Sequence, residues 1–572
     1  MNQPNHKQKP RENSEPNTRK LRISRRTFLG TGIAAATTTL IFLYRSLARL
    51  TTSKFPPPQP YKYTKFRDPI EFTGKELRVA QHQLTLPGND GNEGVPISVR
   101  LYNNSIPGPT LRRNAGEKIE FKFINNLPPN NQSAGNTCKE SQHDNKPACF
   151  NTTNVHFHGF HVSPKTDGGV SADDVFVKVE PDGGEHQYRV DIPNFHAPGT
   201  HWYHGHHHGS TAIQTASGMA GAIIIPEDEK NKLGVTDDND KIWLMQEVMD
   251  VSNGNDFYRA DKNNIKTHFL IHGEYQPTLT IDNAHTLQRW RFINATGTDG
   301  GLMTLKLYKC IDEQDIGLRC ENSELQDMYL IAVDGVSFYG HRPQKVGNSN
   351  YQPYQDGWEL SPGNRADFLV NLPKGDYKLV KDRYETMNVR RSNINRQVLA
   401  YIKVKGESDA GGKIPDMIEG ELPDYLQPIS DREIKSSGKG SLNVPRKVSF
   451  SRASGGGLRH YYINGEPYDP ESHDYILELN TAEQWVLSNP SESPHPFHIH
   501  VNHFQIKGDL IDPEKEDVPS NWRWWDTVAV NKTAIAIRHR FSDYDGKFVL
   551  HCHILIHEDQ GMMRNVRIMG KG

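Results

Sequence analysis

The chain has 572 residues, of which 35% are hydrophobic, with 47 glycines, 36 prolines and a formal net charge of −2. This length predicts several domains, and the lean, glycine- and proline-rich composition favours loop-rich β architecture over helical bundles. Lysine and arginine are concentrated in residues 1–50, which carry a charge of +8 and leave −10 on the rest. An acidic body without a basic stripe or a nucleic-acid-binding motif excludes nucleic acid as a partner.

The N-terminus has the features of an export signal. Ser24–Leu29 reads Ser-Arg-Arg-Thr-Phe-Leu, a twin-arginine pattern, and an apolar run from Phe28 to Tyr44 precedes the small residues that end at Ala48. We predict a signal peptide over residues 1–48, export by the twin-arginine machinery, cleavage after Ala48, and a periplasmic or extracellular protein without lasting membrane association. An uncleaved membrane anchor is the alternative, because the apolar run approaches the length of a short span.

The next part of the chain predicts β domains. Residues 49–75 form a proline-rich linker, and short strand-like runs separated by turn residues follow it, which is typical of β-sandwiches. Polar boundaries divide the chain into predicted domains over 76–230, 231–405 and 440–572, with an exposed connection over 406–439. The clearest strand-like runs are Ile97–Tyr102, Lys118–Ile124, Gly221–Ile225, Phe368–Val370 and Tyr475–Leu479.

Two His-x-His pairs lie in the first predicted domain and two in the last. His156 and His158 lie on a predicted strand, where alternate side chains share a face, so both rings point to the same side. One such pair arises easily by chance, whereas four indicate metal binding. Neutral imidazole suits copper, and the Cys-x-x-Cys and His-Glu-x-x-His patterns of zinc sites are absent from the sequence. The other pairs are His204 and His206, His498 and His500, and His551 and His553.

Cys552 lies between the two histidines of the last pair. With His557 and Met562 it supplies a thiolate, an imidazole and a weak thioether, three of the four ligands of a blue-copper electron-transfer site. The fourth ligand must be a histidine from elsewhere, and His495 opens an upstream histidine-rich run. Because successive side chains of a strand leave opposite faces, the two flanking histidines are free to bind a second metal cluster.

Four of the five cysteines remain once Cys552 is assigned to metal. In an oxidising compartment we predict the local disulfides Cys138–Cys149 and Cys310–Cys320, out of the three connectivities that four cysteines allow. Each short loop would contribute roughly 3 kcal/mol in the chain-entropy model. Four free thiols are the alternative.

With these motifs, the chain from about residue 75 to 572 resembles the multicopper oxidases of the laccase and bilirubin-oxidase kind. The resemblance implies an all-β fold of three cupredoxin-like Greek-key domains and four copper ions. It implies one type 1 copper that is bound by His495, Cys552 and His557. Met562 is the implied axial ligand, and Met563 is the competing candidate for that position. The implied type 2 ligands are His156 and His498, and the implied ligands of two type 3 coppers are His158, His204, His206, His500, His551 and His553.

The resemblance also implies an enzymatic reaction. A reducing substrate gives one electron to the type 1 copper, Cys552 passes it toward the trinuclear cluster, and four electrons and four protons convert O2 to water. Asp167 and Glu558 match the positions at which the family places proton-transferring acids, although Asp167-Gly168-Gly169 is also a turn signature. We give no catalytic role to the stretches 358–367 and 525–528. Five histidines exceed the family pattern, and we expect them on the surface or in loops, with hydrogen bonding around the copper ligands as the alternative: His161, His201, His207, His208 and His503.

The electron donor is the open question at this point. The chain has 11 methionines without a cluster of them, which favours phenolic or related aromatic donors, whereas metal-oxidising relatives often carry a methionine-rich insertion. An exported oxidase of Cu(I) or Fe(II) is the alternative, and a non-enzymatic cupredoxin structural protein is a remote one. The expected partners are O2 and a small-molecule reductant, and we expect a monomer.

Overall fold

The structure is a computed structural model that describes residues 64–86, 94–130, 145–226, 233–249, 251, 257–258, 267–311, 322–347, 357–382, 396–407, 412–435, 438–455, 458–507 and 522–570. All of these residues belong to one compact unit, Gln59–Gly572. The predicted signal peptide, Cys138 and Cys320 lie outside the described residues. Within the described ranges, none of the helices has the length and apolarity needed to cross a membrane.

The first part of the described chain is built from short strands and one short helix, α1, over Thr211–Ala216. The strands form one sheet of order β2-β1-β4-β8-β7-β6 and a second of order β3-β10-β9-β5. Their bounds are β1 Glu76–Leu86, β2 Val95–Tyr102, β3 Gly108–Arg112, β4 Lys118–Asn126, β5 His156–His158, β6 Thr166–Asp167, β7 Val170–Ser171, β8 Gly184–Asp191, β9 Gly199–His204 and β10 Ala220–Ile225.

The middle part forms two further sheets. One has the order β12-β11-β14-β21-β17-β18, with β19 also on β17, and the other has the order β13-β23-β22-β15-β16, with β20 on β15. Their strands are β11 Asp240–Met249, β12 Thr267–Ile271, β13 Thr278–Ile281, β14 Gln288–Ala295, β15 Met303–Cys310, β16 Ser323–Gln326, β17 Met328–Val333, β18 Val336–Ser337, β19 Gln344–Val346, β20 Trp358–Leu360, β21 Arg365–Val370, β22 Gly375–Asp382 and β23 Gln397–Val404.

The last part repeats this arrangement and carries helix α2 over Leu555–Glu558. Its sheets have the orders β25-β24-β27-β32-β29-β30 and β26-β34-β33-β28-β31. Their strands are β24 Arg446–Gly455, β25 Leu458–Ile463, β26 Tyr475–Glu478, β27 Thr481–Ser488, β28 His495–Ile499, β29 Phe504–Lys507, β30 Trp522–Trp525, β31 Thr527–Val530, β32 Ile535–Phe541, β33 Gly546–Cys552 and β34 Met563–Met569; short 3₁₀ helices cover Asp237–Asn239, Asp299–Gly301 and Asp424–Leu426.

The all-β prediction is confirmed, and the hydrophobic pattern explains it. In β4, alternate residues are buried, so one face of the strand packs inward and the other faces solvent. Strand β14 is buried along its whole length, as expected for a central strand covered on both faces. Each part of the chain has its own apolar core, with Phe121 in the first, Trp290 in the middle and Trp485 in the last.

The predicted connection over 406–439 is exposed at most of its described residues, but a few apolar side chains within it are buried. Leu426, Ile429 and Ile434 are buried, and they form one cluster with residues from all three parts of the chain. The few apolar residues of this segment are separated by many polar ones, so its average hydrophobicity is low. That average gave no indication that these apolar side chains pack against other parts of the chain. Its partners in the cluster are Ala197, Val336, Ala482 and Trp524.

Candidate metal centre

Two pairs of neighbouring strands bring the eight paired histidines together. His156 on β5 is opposite His204 on β9, and His498 on β28 is opposite His551 on β33. All eight rings are buried. Their donor nitrogens fall into groups whose atoms lie within 4.8 Å of one another: His158, His204 and His553; His206, His500 and His551; and His156, His158 and His498.

The outer ring nitrogens of these histidines are held by hydrogen bonds. Nδ1 of His156 lies 2.8 Å from a carboxylate oxygen of Asp173, and Nδ1 of His204 lies 2.8 Å from the carbonyl oxygen of Gly205. Nδ1 of His498 lies 2.9 Å from a backbone carbonyl oxygen in the same way. In these three rings, the buried Nε2 has no protein partner. Each Nδ1 therefore carries the proton, and each Nε2 offers a lone pair, as a metal requires.

His158 is oriented the other way round. Its Nε2 lies 3.3 Å from Oδ1 of Asp526, and its Nδ1 lies 3.2 Å from Nε2 of His553. The carboxylate accepts the Nε2 proton, so His158 presents Nδ1 to the cluster. Its ring stacks on His498 with centroids 3.9 Å apart. These residues fit a group of metal ions. The nitrogen lone pairs of several buried imidazoles face one another, and they would repel one another unless a cation lay between them.

A second group of donors lies beside the first. Sγ of Cys552 is 3.5 Å from Nδ1 of His495 and 3.7 Å from Nδ1 of His557. Met562 is fully buried in the same apolar cluster as Cys552, whereas Met563 packs in a different cluster. The geometry therefore favours Met562 over Met563 as the neighbour of the thiol. These are the soft and borderline ligands that copper prefers.

Burial tunes the protonation of both groups. Desolvation first, and then repulsion from neighbouring imidazoles, lowers the pKa of His500, His551 and His553 well below the ordinary value. These rings are therefore neutral near pH 7 and able to bind a cation. Burial raises the pKa of the Cys552 thiol well above its usual range. A thiolate at this position needs a bound cation to compensate its charge.

Glu558 reaches the histidine cluster from helix α2. Its carboxyl oxygens lie 3.7 Å from Nδ1 of His206 and 3.6 Å from Nδ1 of His551. Burial, followed by repulsion from Asp559, raises the pKa of Glu558 well above its usual range. Thr211 donates a hydrogen bond of 3.2 Å to the same carboxyl group. Glu558 is therefore a buried acid at the edge of the cluster with a raised pKa.

The structure does not bring Asp167 to the cluster. Asp167 is exposed in the short hairpin of β6 and β7, the turn that its sequence context also permitted. The buried acid is Asp173, which contacts His156 and also accepts a hydrogen bond of 2.9 Å from the backbone of Phe157. Burial raises the pKa of Asp173 well above its ordinary value. The sequence signal for it was limited to the Asp173-Asp174 pair a few residues after the turn signature Asp167-Gly168-Gly169.

The prediction that the five additional histidines lie on the surface or in loops was wrong about their exposure. All five are buried. His161 contacts the backbone carbonyl of Val501 at 3.0 Å and Asp543 at 2.9 Å, and its ring stacks on Tyr425. His503 donates to the carbonyl oxygen of Asp334 at 3.0 Å. These two rings therefore link different parts of the chain, which single-sequence spacing cannot reveal.

Two residues near the donor groups were missed at the level of sequence. Asp526 belongs to the stretch 525–528, for which we expected no catalytic role, and it contacts His158 with its side chain and His498 with its backbone. Asp299, from the middle part of the chain, lies 3.7 Å from Nε2 of His557, and its side chain is 55% exposed. Asp299 precedes two glycines in a polar loop, and nothing in that pattern indicates a contact with a residue so distant in sequence.

Comparison with known proteins agrees with this geometry. Two family models, both described as multicopper oxidase, match residues 441–571 and 144–230. These regions contain all the histidines of the donor groups.

Curated relatives and solved structures cover most of the chain. A multicopper oxidase of Staphylococcus epidermidis is 26% identical over 82% of this chain and 83% of its own length. A laccase of Haloferax volcanii is 24% identical over 94% of this chain and 90% of its own length. A Campylobacter jejuni protein, described as a multicopper oxidase and a metallo-oxidase, is 22% identical, with a TM-score of 0.61 over 91% of this chain and 96% of its own. This likeness supports a fold of cupredoxin-like β-sandwiches.

Proposed function

This chain belongs to the multicopper oxidase family, and on that premise we propose that it couples one-electron oxidation of phenolic or related aromatic donors to the reduction of O2 to water. The observation that carries the proposal is the position of Cys552. It contacts His495 and His557 on one side, and its chain neighbours belong to the eight-histidine cluster on the other.

We assign the donor groups to four copper ions. His495, Cys552 and His557, with Met562 as the weak axial ligand, would hold a type 1 copper, and His156 and His498 would hold a type 2 copper. When bound, these ions supply one-electron acceptor chemistry at the first group and dioxygen reduction at the second. The ligands proposed for the two type 3 ions are His158, His204 and His553 for one, and His206, His500 and His551 for the other.

Residues of the chain connect the two donor groups and place acids beside the histidine cluster. The Cys552 side chain and the backbone on either side of it join the first donor group to His551 and His553 through a few covalent bonds. Glu558 and Asp173 are the buried acids beside the cluster, and we propose that they hold and deliver the protons that water formation consumes. Asp167 is exposed and is not included in this role.

Dioxygen needs a route to the cluster. A cavity of about 570 Å³ between the first and last parts of the chain reaches His206 and is also lined by His207, Phe176, Tyr468 and Lys547. We propose this cavity as the path for O2 and water. His206, which the cavity reaches, is also the ring whose Nδ1 lies 3.7 Å from a carboxyl oxygen of Glu558.

The donor would approach His557. Asp299 lies beside Nε2 of this ring and is open to solvent, so a phenol seated there could release its proton to the carboxylate as it loses an electron. The same carboxylate could attract a cation, and one structural neighbour is described as a metallo-oxidase. Oxidation of Cu(I) or Fe(II) is therefore the second candidate.

We also propose export and local disulfides. Twin-arginine export to the periplasm or beyond rests on the N-terminal sequence, and that route carries folded proteins, which suits metal loading before transport. The proposed pairs Cys138–Cys149 and Cys310–Cys320 rest on the short separation within each pair and on the oxidising compartment that export implies. Cys552 is the free cysteine among the described residues.

Replacing Met562 by leucine is expected to leave the protein blue and to raise the reduction potential of its type 1 copper. A weak axial thioether stabilises the oxidised ion, and leucine cannot donate. Redox titration of the blue absorption measures the shift. Met563→Leu is the matched control, because Met563 is buried nearby in a different cluster. A shift in Met563→Leu and none in Met562→Leu would transfer the axial role to Met563.

Oxygen uptake with a donor panel tests the proposed function. We expect kcat/KM to be higher for 2,6-dimethoxyphenol or bilirubin than for Fe(II) or Cu(I), with Cys552→Ser as the background control for each donor. A metal ion that exceeds every organic donor would replace the laccase-like function with a metallo-oxidase function. A blue, four-copper protein that consumes no oxygen with any donor would contradict both.

A further inference from the structure

We propose that Arg365, from the middle part of the chain, is a positioning residue for the trinuclear cluster, acting through Asp526. The inference rests on the proposed function, because it concerns the ligands assigned there to type 2 and type 3 copper. It goes beyond that function by giving the middle part, which donates no histidine to the donor groups, a direct role in the oxygen-reducing site.

Arg365 is a completely buried residue at the start of β21. Its Nη1 lies 2.8 Å from Oδ1 of Asp526 and its Nη2 lies 2.5 Å from Oδ2, so the guanidinium binds both oxygens in a fork. Its Nε donates to the carbonyl oxygen of Thr200, two residues before the Trp202 that stacks on His204. The three parts of the chain therefore meet at one side chain.

Asp526, which Arg365 holds in place, forms hydrogen bonds with two proposed ligands. Its Oδ1 accepts the Nε2 proton of His158, and its backbone carbonyl accepts the Nδ1 proton of His498. The rings of these two histidines are stacked. A shift of Asp526 would therefore move both rings and release the His158 tautomer that presents Nδ1 to the cluster.

The middle part of the chain also forms hydrogen bonds with the backbone at Asp526 and Thr527. Asp334 accepts hydrogen bonds from the backbone amides of Asp526 and Thr527 at 3.2 and 3.1 Å. Asn364 donates to the carbonyl oxygen of Thr527 at 2.8 Å. These bonds hold the backbone, whereas the guanidinium of Arg365 binds both oxygens of the carboxylate, and Oγ1 of Thr527 donates a further hydrogen bond of 2.8 Å to Oδ1. The charge of Arg365 also offsets the charge of Asp526, and both side chains are buried.

Gly159 makes room for this contact. It follows His158 directly and adopts φ +83°, and a Cβ atom there would lie 2.2 Å from Nη2 of Arg365 and 2.8 Å from Oδ2 of Asp526. A side chain at residue 159 would therefore collide with both members of the pair. Only glycine allows the strand that carries His158 to pass so close to the guanidinium.

The experiment compares Arg365→Gln with Arg291→Gln in the copper-loaded enzyme. Arg291 is a matched control, because it is also buried in the middle part and also pairs with carboxylates, those of Asp240 and Asp367. Asp240, Asp367 and Thr200, to whose hydroxyl it also donates a hydrogen bond of 3.0 Å, are not among the proposed copper ligands. Copper content, the type 2 signal in electron paramagnetic resonance, blue absorption and melting temperature are measured for both.

We expect Arg365→Gln to keep its blue absorption but to lose trinuclear copper affinity by about 10- to 100-fold and to show a changed type 2 signal, since outer-shell partners of metal ligands have effects of this size. Arg365→Lys keeps the charge without the fork and should recover copper content only in part. Arg291→Gln should lose thermal stability while its copper content and type 2 signal stay as in the wild type.

Unchanged copper content and an unchanged type 2 signal in both Arg365 variants would overturn the inference. It would equally fail if Arg291→Gln showed the same trinuclear defect, because the effect would then be general damage to the middle part. Should Arg365→Gln not fold, Arg365→Lys provides the same comparison. A wild-type protein that is not blue and binds no copper would instead overturn the proposed function itself, and the two failures are distinguishable.

Discussion

Replacing Cys552 by serine is expected to abolish the blue colour of the holoprotein and to reduce its oxidase activity to the uncatalysed background. The colour of a type 1 site comes from a copper–thiolate bond, and a serine hydroxyl is a hard, protonated donor that cannot replace it. The same change removes the sulfur that contacts His495 and His557. This sulfur is the first atom of the covalent connection from that donor group to the histidine cluster.

Absorption spectra, copper analysis and oxygen uptake of the purified variant test this expectation. The eight-histidine cluster does not use the Cys552 side chain, so about three of the four proposed coppers should remain, which distinguishes loss of one site from general unfolding. A Cys552→Ser protein that stayed blue would show that the colour arises elsewhere and would contradict the type 1 assignment.

Replacing Glu558 by glutamine is expected to slow reoxidation of the fully reduced enzyme by O2 by about 100-fold, since a positioned acid or base contributes 10²–10⁴-fold to a rate. Glutamine has nearly the same shape and can keep the hydrogen bond with Thr211, but it cannot deliver a proton. Copper content should stay near that of the wild type, because Glu558 is outside the proposed ligand groups.

Rapid mixing of the reduced enzyme with O2 measures this rate. Glu483→Gln is the control, because Glu483 is also a buried glutamate of the last part of the chain but pairs with Arg446, away from the cluster. Asp173→Asn should also slow reoxidation, whereas Asp167→Asn should not, since Asp167 is exposed. Normal reoxidation in Glu558→Gln and Asp173→Asn would assign both acids a structural role only.

Residues close together in sequence made the donor groups predictable. Cys552, His557 and Met562 lie within one short stretch, and strand alternation separates Cys552 from the histidines on either side of it. The structure has these side chains on the predicted faces, with Cys552 beside His495 and the flanking histidines in the other cluster. Periodicity and spacing are local properties, so the sequence alone was sufficient for them.

Residues whose role depends on distant contacts could not be predicted in this way. The family resemblance pointed to Asp167, but Asp167 is exposed in the β6–β7 hairpin, and the buried carboxyl group beside His156 is that of Asp173. The buried His161 and the packed connection at Leu426 show the same limit, since both are stabilised by partners far away in sequence.

The amino-acid sequence by itself determined the all-β architecture, the types of donor atom and their division between the two ends of the chain. The tertiary structure alone decided which carboxyl groups reach the cluster, that Asp299 borders His557, and that Arg365 holds Asp526 against His158. The physical reason is that the types of ligand atom follow from residues close together in sequence. Burial and hydrogen-bond orientation, in contrast, arise only when separate sheets pack together and exclude water.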